Sequence, residues 1–204
     1  GQHELMETFI GEYIPKDKKT IFLNGNNITS FNPSKRRLAK MAFVPEERIG
    51  HATVPSMKLS ENFLLTDYID KNSNSYGFIK PSFSKKKSNE IINNFDVRIP
   101  HKDPLSSSLS GGNLQKFIVG REISRLPDLL IASQPTWGVD VGAAIDIRTH
   151  LIGLAEMGSA VIVISQDLEE ILLISDKISV IHAGFLSKPY SKNNINIEEI
   201  GLLM

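Results

Sequence analysis

The sequence predicts an α/β protein: a mostly parallel sheet flanked by helices, with an inserted helical lobe. Three observations carry the α/β reading. Between residues 129 and 182, short apolar runs alternate with helical patterns, as strand–crossover–strand units of a buried parallel sheet do. Polar loops follow those runs directly, where open α/β sheets gather their ligands. Finally, Ser106–Lys116 reads Ser-Ser-Ser-Leu-Ser-Gly-Gly-Asn-Leu-Gln-Lys, a loop feeding a helix N-terminus. First-turn amides have no internal partners, and the helix dipole makes that end positive. Ser110, Gly111 and Gly112 therefore describe a phosphate site. Taken alone, the same residues equally suit a solvated loop with an ordinary Ser cap.

In chain order, His3–Phe9 carries a helical stripe of Leu5, Met6, Phe9 and Ile10, with Gly11 as its C-cap. Lys19–Leu23 reads as a strand, and Asn24-Gly25 is a hairpin signal. Asn32 or Ser34 caps a short basic helix with Lys35, Arg36 and Arg37. Met41–Val44 is a short apolar strand running into Pro45-Glu46-Glu47-Arg48. From Met57 to Asn94 helix follows helix without a strand: Ser60 and Glu61 open one, Lys71–Tyr76 is Asn/Ser-rich, and Lys85-Lys86-Lys87 starts another. The lysine run reads as a solvated face, with a partner contact as the alternative.

Beyond the glycine loop, Leu114, Phe117 and Ile118 form an apolar stripe, with Arg121 and Glu122 facing elsewhere. Leu129–Ala132 is a strand, Gly142–Met157 a helix, Ala160–Ile164 a strand, Leu168–Ile174 a helix and Ile178–His182 a strand, with Ala183-Gly184 as a turn. The three strands are expected to lie in one sheet covered on both faces. Ile195–Met204 forms a short helix.

Composition narrows the function. The 204 residues suffice for one sizeable core or for a domain with a smaller lobe. Hydrophobic residues make up 41% and charged residues 23%, as in soluble globular chains. Lys+Arg and Asp+Glu both number 23, so no global field points to nucleic acid or anionic lipid. The absence of Cys excludes disulfides and thiolate chemistry and permits a cytoplasmic location. No apolar run reaches about eighteen residues, and the first residues do not read as a secretory signal. Any membrane role is expected to come through a partner. No metal-ligand cluster is visible.

Four motifs together carry a resemblance. Leu-Ser-Gly-Gly-Asn-Leu-Gln-Lys at 109–116, Leu-Leu-Ile-Ala-Ser-Gln-Pro-Thr at 129–136, Gly-Val-Asp at 138–140 and Ile-Ser-Gln-Asp at 164–167 resemble the signature, Walker B, D-loop and switch-loop motifs of an ABC-transporter nucleotide-binding domain. Order and spacing match, and the resemblance covers essentially the whole chain. It is greatest toward the second cassette of the duplicated ATPases that serve simple-sugar and nucleoside importers. The segments at 134–143 and 95–98 lean toward the nucleoside branch. The resemblance implies P-loop NTPase topology in one partial nucleotide-binding domain over 1–204, with a helical subdomain at 57–126 carrying the signature and a RecA-like α/β core at 127–204. The N-terminal strand and most of the Walker A loop are expected to be missing.

In this family each nucleotide lies between the Walker motifs of one cassette and the signature of the other. By the resemblance, Gly1 is the last Walker A glycine. Gln2 stands where the Lys belongs and His3 where the Mg²⁺-binding hydroxyl belongs. Ser133 replaces the Walker B Asp, Gln134 the catalytic Glu and Gln166 the switch His. Glu46 replaces the loop glutamine that senses Mg²⁺ and the membrane partner. An amide cannot act as a general base at neutral pH, so no catalytic group is intact on this side. Ser110, Gly111 and Gly112 match the signature, Asn113 replaces its common Gln as this branch tolerates, and Asp140 matches the D-loop. The implied cofactors are ATP and Mg²⁺, the metal at the partner cassette's site. The implied partners are a second cassette, transmembrane permease subunits and, indirectly, a solute-binding protein, with no nucleic acid. The implied location is cytoplasmic, peripheral on the inner face of the cell membrane. The rivals are a non-transport ABC ATPase of the DNA-repair or translation type and a purely structural half-cassette.

Several residues also have plainer readings. Asp140 is compatible with an N-cap as well as with the D-loop role. Trp137 reads as packing rather than adenine stacking, and His182 as a satisfied structural residue. Met41, Met57 and Met157 read as core or near-core. Gln134 and Gln166 have plain polar-loop readings. Glu46-Glu47 is either a solvated turn or a loop facing the membrane subunits.

Overall fold

A computed structural model describes residues 1–17, 19–68, 74–75, 78–192 and 201. The expected helix at Ile195–Met204 and most of the Lys71–Tyr76 segment lie outside the described residues. The chain divides into two compact units, one of Gly1–Arg36 with Val163–Met204, the other of Arg37–Ile162.

The Arg37–Ile162 unit is built on parallel strands. Every residue of β3 (Met41–Val44) is buried. It pairs in parallel with β6 (Leu129–Ser133), Met41 opposite Leu129 and Val44 opposite Ala132. In the three-stranded sheet, β6 lies between β3 and β7 (Ala160–Ile164). Short all-apolar strands form because both faces of this sheet centre exclude water. Against it lies α5 (Gly111–Ile123), buried at Gly112 and from Leu114 to Ile123. It packs on β3, on α4 (Pro81–Asn94) and on α6 (Val141–Glu156). The last of these is amphipathic, burying Ala143, Ile147, Leu151 and Leu154. The α4–α5 contact is close because Gly120 has no side chain: a Cβ there would lie 2.7 Å from Phe95 and 2.9 Å from Ile91.

The expectation that Arg121 and Glu122 face away from the core is corrected. Both are buried, with relative exposures of 2% and 0%. They tolerate burial because they are paired. Arg121 Nε donates to Glu122 Oε1 (3.0 Å), and its Nη1 donates to the carbonyls of Ala52 and Asn62 (3.0 Å each). Arg37 Nη1 donates to Glu122 Oε2 at 2.6 Å while its guanidinium lies over the Phe43 ring.

In the helical stretch, α3 is Leu59–Asp67, and the Lys58 backbone amide donates to Glu61 at its start. The helix α4 begins at Pro81, four residues before Lys85, because Pro fits the first helical turn. The stretch is not strand-free: β4 (Asn74–Ser75) and β5 (Phe78–Ile79) form a small antiparallel pair. Lys85 and Lys86 are exposed, and Lys87 pairs with Glu90 at 2.7 Å.

In the other unit, α1 (Gln2–Ile10) ends at Gly11, whose φ of 87° suits a left-handed cap. The strand expected over Lys19–Leu23 shortens to β1 (Phe22–Leu23), paired with β2 (Asn26–Asn27) around Asn24-Gly25. The amides of Thr20 and Ile21 donate instead to the Thr29 hydroxyl (3.1 and 2.9 Å). Asn32 caps α2 (Pro33–Leu38) by accepting from the Lys35 amide at 3.0 Å. Arg36 of that helix is fully buried rather than solvated. Its guanidinium donates to the carbonyls of Thr8 and Phe9 (2.6 Å each), Phe31 (2.9 Å) and Thr29 (3.1 Å). A cation there complements the C-terminal end of α1.

Downstream of α7 (Leu168–Ile174), the single strand expected at Ile178–His182 is two pieces. One is β8 (Lys177–Ile178); the other, β9 (Ile181–His182), turns back through Ala183-Gly184 onto β10 (Phe185–Leu186). The first pairs antiparallel with β11 (Tyr190–Ser191). This run therefore spends its ladder bonds on its own hairpin, not on the parallel sheet. His182 is exposed, as are Met157 (66%) and Trp137 (65%), so none of the three is a core residue. Met41 is buried and Met57 half-buried.

Candidate functional site

The glycine loop is held from beneath and open at its tip. Ser106 is buried, its hydroxyl donating to the Val54 carbonyl at 2.8 Å. Asn62, also buried, clamps the same segment by donating to the carbonyls of Val54 and Met57. Above this support, Ser110 is the N-cap of α5, and Ser110 and Gly111 are exposed. Ser110 Oγ accepts from the Asn113 backbone amide at 3.5 Å and from Asn113 Nδ2 at 2.8 Å. Asn113 Oδ1 accepts from the Arg98 amide at 2.8 Å, tying the first turn to the segment after α4. The result is an exposed, glycine-edged helix start in a thirteen-residue helix, suited to an anion.

Asp140 stands against this turn. It caps α6, accepting from the Ala143 amide at 2.9 Å. That hydrogen bond holds its carboxyl below the ordinary value; the Gly142 amide and the Lys116 charge act in the same direction, and slight desolvation opposes them. Lys116, itself buried, joins α5 to α6 through Asp146 Oδ2 at 2.6 Å. Gly112, Asn113, Lys116, Asp140 and Asp146 line one polar cleft. The structure thus brings the signature and D-loop residues together.

The end of β6 is different in kind. Ser133 and Gln134 are both buried, at 5% exposure. Gln134 takes φ of 48°, so the chain turns sharply there. Neither residue is a carboxylate, so this strand end offers no anionic metal ligand and no base. Glu46 is exposed beyond Pro45 at the end of β3. Among the described residues no group of three or more His, Cys, Asp or Glu could hold a metal ion.

Gly1, Gln2, His3 and Gln166 belong to the other unit. Gly1 precedes α1, and Gln2 and His3 are its first residues. His3 is exposed, with Nε2 3.3 Å from Glu7 Oε1. Gln166 is exposed between Ser165 and Asp167, and Asp167 caps α7. Neither Gln2 nor Gln166 carries a charge.

Sequence reasoning passed over Arg48 and Gln115. Gln115 is buried, and its Oε1 accepts from Arg48 Nε at 3.1 Å while its Nε2 donates to the Pro135 carbonyl at 2.9 Å. A polar amide in a helix packed on every side signals such a bridge. Desolvation draws the Arg48 guanidinium below its ordinary value.

With this geometry in hand, comparisons become informative. No family model matches the chain. It is 40% identical over 204 residues to the guanosine import ATP-binding protein NupO of Bacillus subtilis, covering all of this chain and 40% of that protein. It is 41% identical over 204 residues to the nucleoside import ATP-binding protein NupA of Lactococcus lactis, again all of this chain and 40% of that protein. Against the ribose import ATP-binding protein RbsA of Clostridium tetani, identity is 33% over 200 residues, 98% of this chain and 39% of that protein. The chain thus spans about two-fifths of the length of the curated relatives it matches. Among solved structures, a dimeric ATP-binding cassette in a post-hydrolysis state with ADP and phosphate aligns at a TM-score of 0.77 and 18% identity, covering 96% of this chain and 82% of that one. Another ATP-binding cassette of an ABC transporter aligns at a TM-score of 0.79 and 18% identity, covering 100% of this chain and 83% of that one. These structural likenesses establish the fold, the relatives establish the kinship, and the chain belongs to the ATP-binding cassette (ABC) family, with its homologues among nucleoside- and sugar-import ATP-binding proteins.

Proposed function

We propose that this chain acts as the second cassette of an ABC importer ATPase for nucleosides or simple sugars, and that it lends its signature to a partner cassette's ATP site. The observation that carries this is the contrast between its two sides. On one side, Ser110, Gly111 and Gly112 form an open helix start braced by Asp140. On the other, the strand end holds Ser133 and Gln134 where hydrolysis needs carboxylates. Gln2 cannot supply the Lys charge, and Gln166 cannot act as the switch His. The chain's own Walker side is therefore inactive, and ATP with Mg²⁺ is hydrolysed at the partner cassette's Walker motifs. On this reading the helical region 57–126 carries the signature and 127–204 forms the α/β core. Glu46 faces the permease subunits, a solute-binding protein delivers the solute outside, and the cassette lies on the cytoplasmic face of the membrane. Among the described residues no helix is long and apolar enough to cross a membrane.

The test is Ser110→Arg in the complete transporter. Arg adds bulk and fixed charge where the signature meets the γ-phosphate. Uptake and ATP turnover are expected to fall to background. Near-normal transport with this substitution would refute the shared-site reading.

A further inference from the structure

The guanidinium of Arg48 is placed differently from those of Arg36, Arg37 and Arg121. Arg36, Arg37 and Arg121 each spend their donors on carbonyls or on a carboxylate. Arg48 gives only its Nε–H to Gln115. Among the described residues its two Nη groups have no hydrogen-bond partner, and no carboxylate pairs with it. A guanidinium carries five N–H donors in a fixed fork, so four stay available. They lie against the glycine loop: Nη1 is 3.0 Å from where a Cβ of Gly111 would stand, and Nη2 is 3.8 Å from the corresponding point on Gly138. Gly111 is exposed and Gly138 adopts φ of 62°. The charge therefore sits beside the helix start that the reading above assigns to the γ-phosphate.

Gln115 fixes this placement. It is 1% exposed, and both ends of its amide are engaged, one by Arg48 and one by the Pro135 carbonyl. The planar amide thereby sets the orientation of the Nε–H and, with it, the direction of the whole fork. Thr53 Oγ1 donates to the Arg48 carbonyl at 2.5 Å and holds its backbone.

Resting on the shared-site reading, we propose that Arg48 is a phosphate-binding residue of the signature side, supplying a guanidinium to the partner-held triphosphate, and that Gln115 is its positioning residue. The glycine amides and the Ser110 hydroxyl contribute only partial charges. Arg48 adds a full one, at a place where hydrogen bonds to an anion are strengthened by partial exclusion of water.

The experiment titrates ATP against the full-length ATPase assembled with its permease. Arg48→Gln is expected to raise KM for ATP about tenfold, the loss of one charge-assisted hydrogen bond, with kcat falling less than KM rises. Arg48→Lys keeps the charge and recovers most of the affinity. Gln115→Glu sets a carboxylate against Arg48 and neutralises it in place, so KM rises; the lost Nε2 donor to the Pro135 carbonyl also lowers the melting temperature. Arg48→Gln and Arg48→Lys behaving alike, or KM unchanged in both, overturns the proposal, provided Ser110→Arg abolishes turnover. If Ser110→Arg leaves turnover intact, the shared-site reading fails instead. Should Arg48→Gln not assemble, Gln115→Glu decides: an unchanged KM overturns the role of Arg48.

Discussion

Gly112 and Asp140 are in contact at the limit of what two residues allow: a Cβ on Gly112 would lie 3.0 Å from Asp140 Oδ2 and 3.2 Å from Ala143 Cβ. The carboxylate cannot retreat easily, because its other oxygen accepts from the Ala143 amide. Gly112→Ala is therefore expected to push the first turn of α5 away from α6. Overpacking of this kind costs about 1–3 kcal/mol, read by denaturant unfolding, and the displaced turn lowers ATP turnover of the complete transporter. Gly111→Ala is the milder case, since its Cβ would stand 3.0 Å from Arg48 Nη1, the end of a side chain, and 3.8 Å from the Gly138 carbonyl. Equal stability of Gly112→Ala and the wild type would defeat the argument.

Gly120 tests packing away from the site. Its Cβ would stand 2.7 Å from Phe95 and 2.9 Å from Ile91, within the buried α4–α5 contact. Gly120→Ala gains helix propensity of about 1 kcal/mol, yet the clash is with a ring and a branched side chain in a core that yields little. The expected net effect is destabilisation, visible as a lower urea midpoint with unchanged slope. A higher midpoint would mean that the helices separate freely.

Much of this architecture is legible in the sequence because it is local. Ala160–Ile164 and Leu168–Ile174 are read to the residue, since apolar runs and an Asp cap are short-range signals. The Asn24-Gly25 and Ala183-Gly184 turns follow from positive φ at adjacent residues. Ser110–Gly112 and Asp140 were legible as motif residues, and the fold sets Gly112 beside Asp140. What was not legible depends on partners distant in the chain. Arg36, Arg121 and Glu122 look like solvated residues until their carbonyl and carboxylate partners are seen. The Arg48–Gln115–Pro135 bridge joins three segments and leaves no periodic trace. Nor does composition show that the run at 177–191 pairs with itself.

Glu122 is buried between Arg37 and Arg121, and Arg37 reaches it at 2.6 Å. Burial raises its pKa, but Arg37, Arg121 and Arg125 together outweigh this and hold the carboxyl below its ordinary value. A depressed carboxylate contributes stability that is present above the unfolded value of about 4.3 and is lost as pH falls toward the folded one. Glu122→Gln strands two guanidinium groups, and breaking a buried pair this way costs about 3–5 kcal/mol. Equilibrium unfolding at pH 7 measures the loss, and the mutant's stability should vary less between pH 5 and pH 3. A loss no larger than that of an exposed ion pair would contradict the burial argument.

Gln134→Glu probes the side proposed to be inactive. The substitution restores a base at the end of β6 but leaves Ser133 and Gln2 in place. General acid/base help alone is worth about 10²–10⁴-fold, and phosphoryl transfer also needs the metal and the Lys charge. The 204-residue chain carrying Gln134→Glu is therefore expected to hydrolyse no ATP above background. Mg²⁺-dependent turnover from this single change, with contaminating ATPases removed, would show that the side is one substitution from activity.

His150 gives the fold a second pH dependence. Its ring lies 4.1 Å from that of Phe95, which also meets Gly120. Desolvation lowers its pKa; Asp146 opposes this and the Lys116 charge reinforces it. With the folded value depressed, both states are neutral above the unfolded value of about 6.5, and stability there is complete. Below that value the unfolded chain takes up a proton that the native ring resists, so stability falls as pH drops toward the folded pKa. The slope cannot exceed about 1.4 kcal/mol per pH unit for one proton. His150→Phe keeps a ring against Phe95 and removes the proton, so its melting temperature should fall less than the wild type's between pH 7 and pH 5. Parallel curves would mean that His150 protonates as freely in the folded chain as in the unfolded one, with Asp146 offsetting the effect of burial.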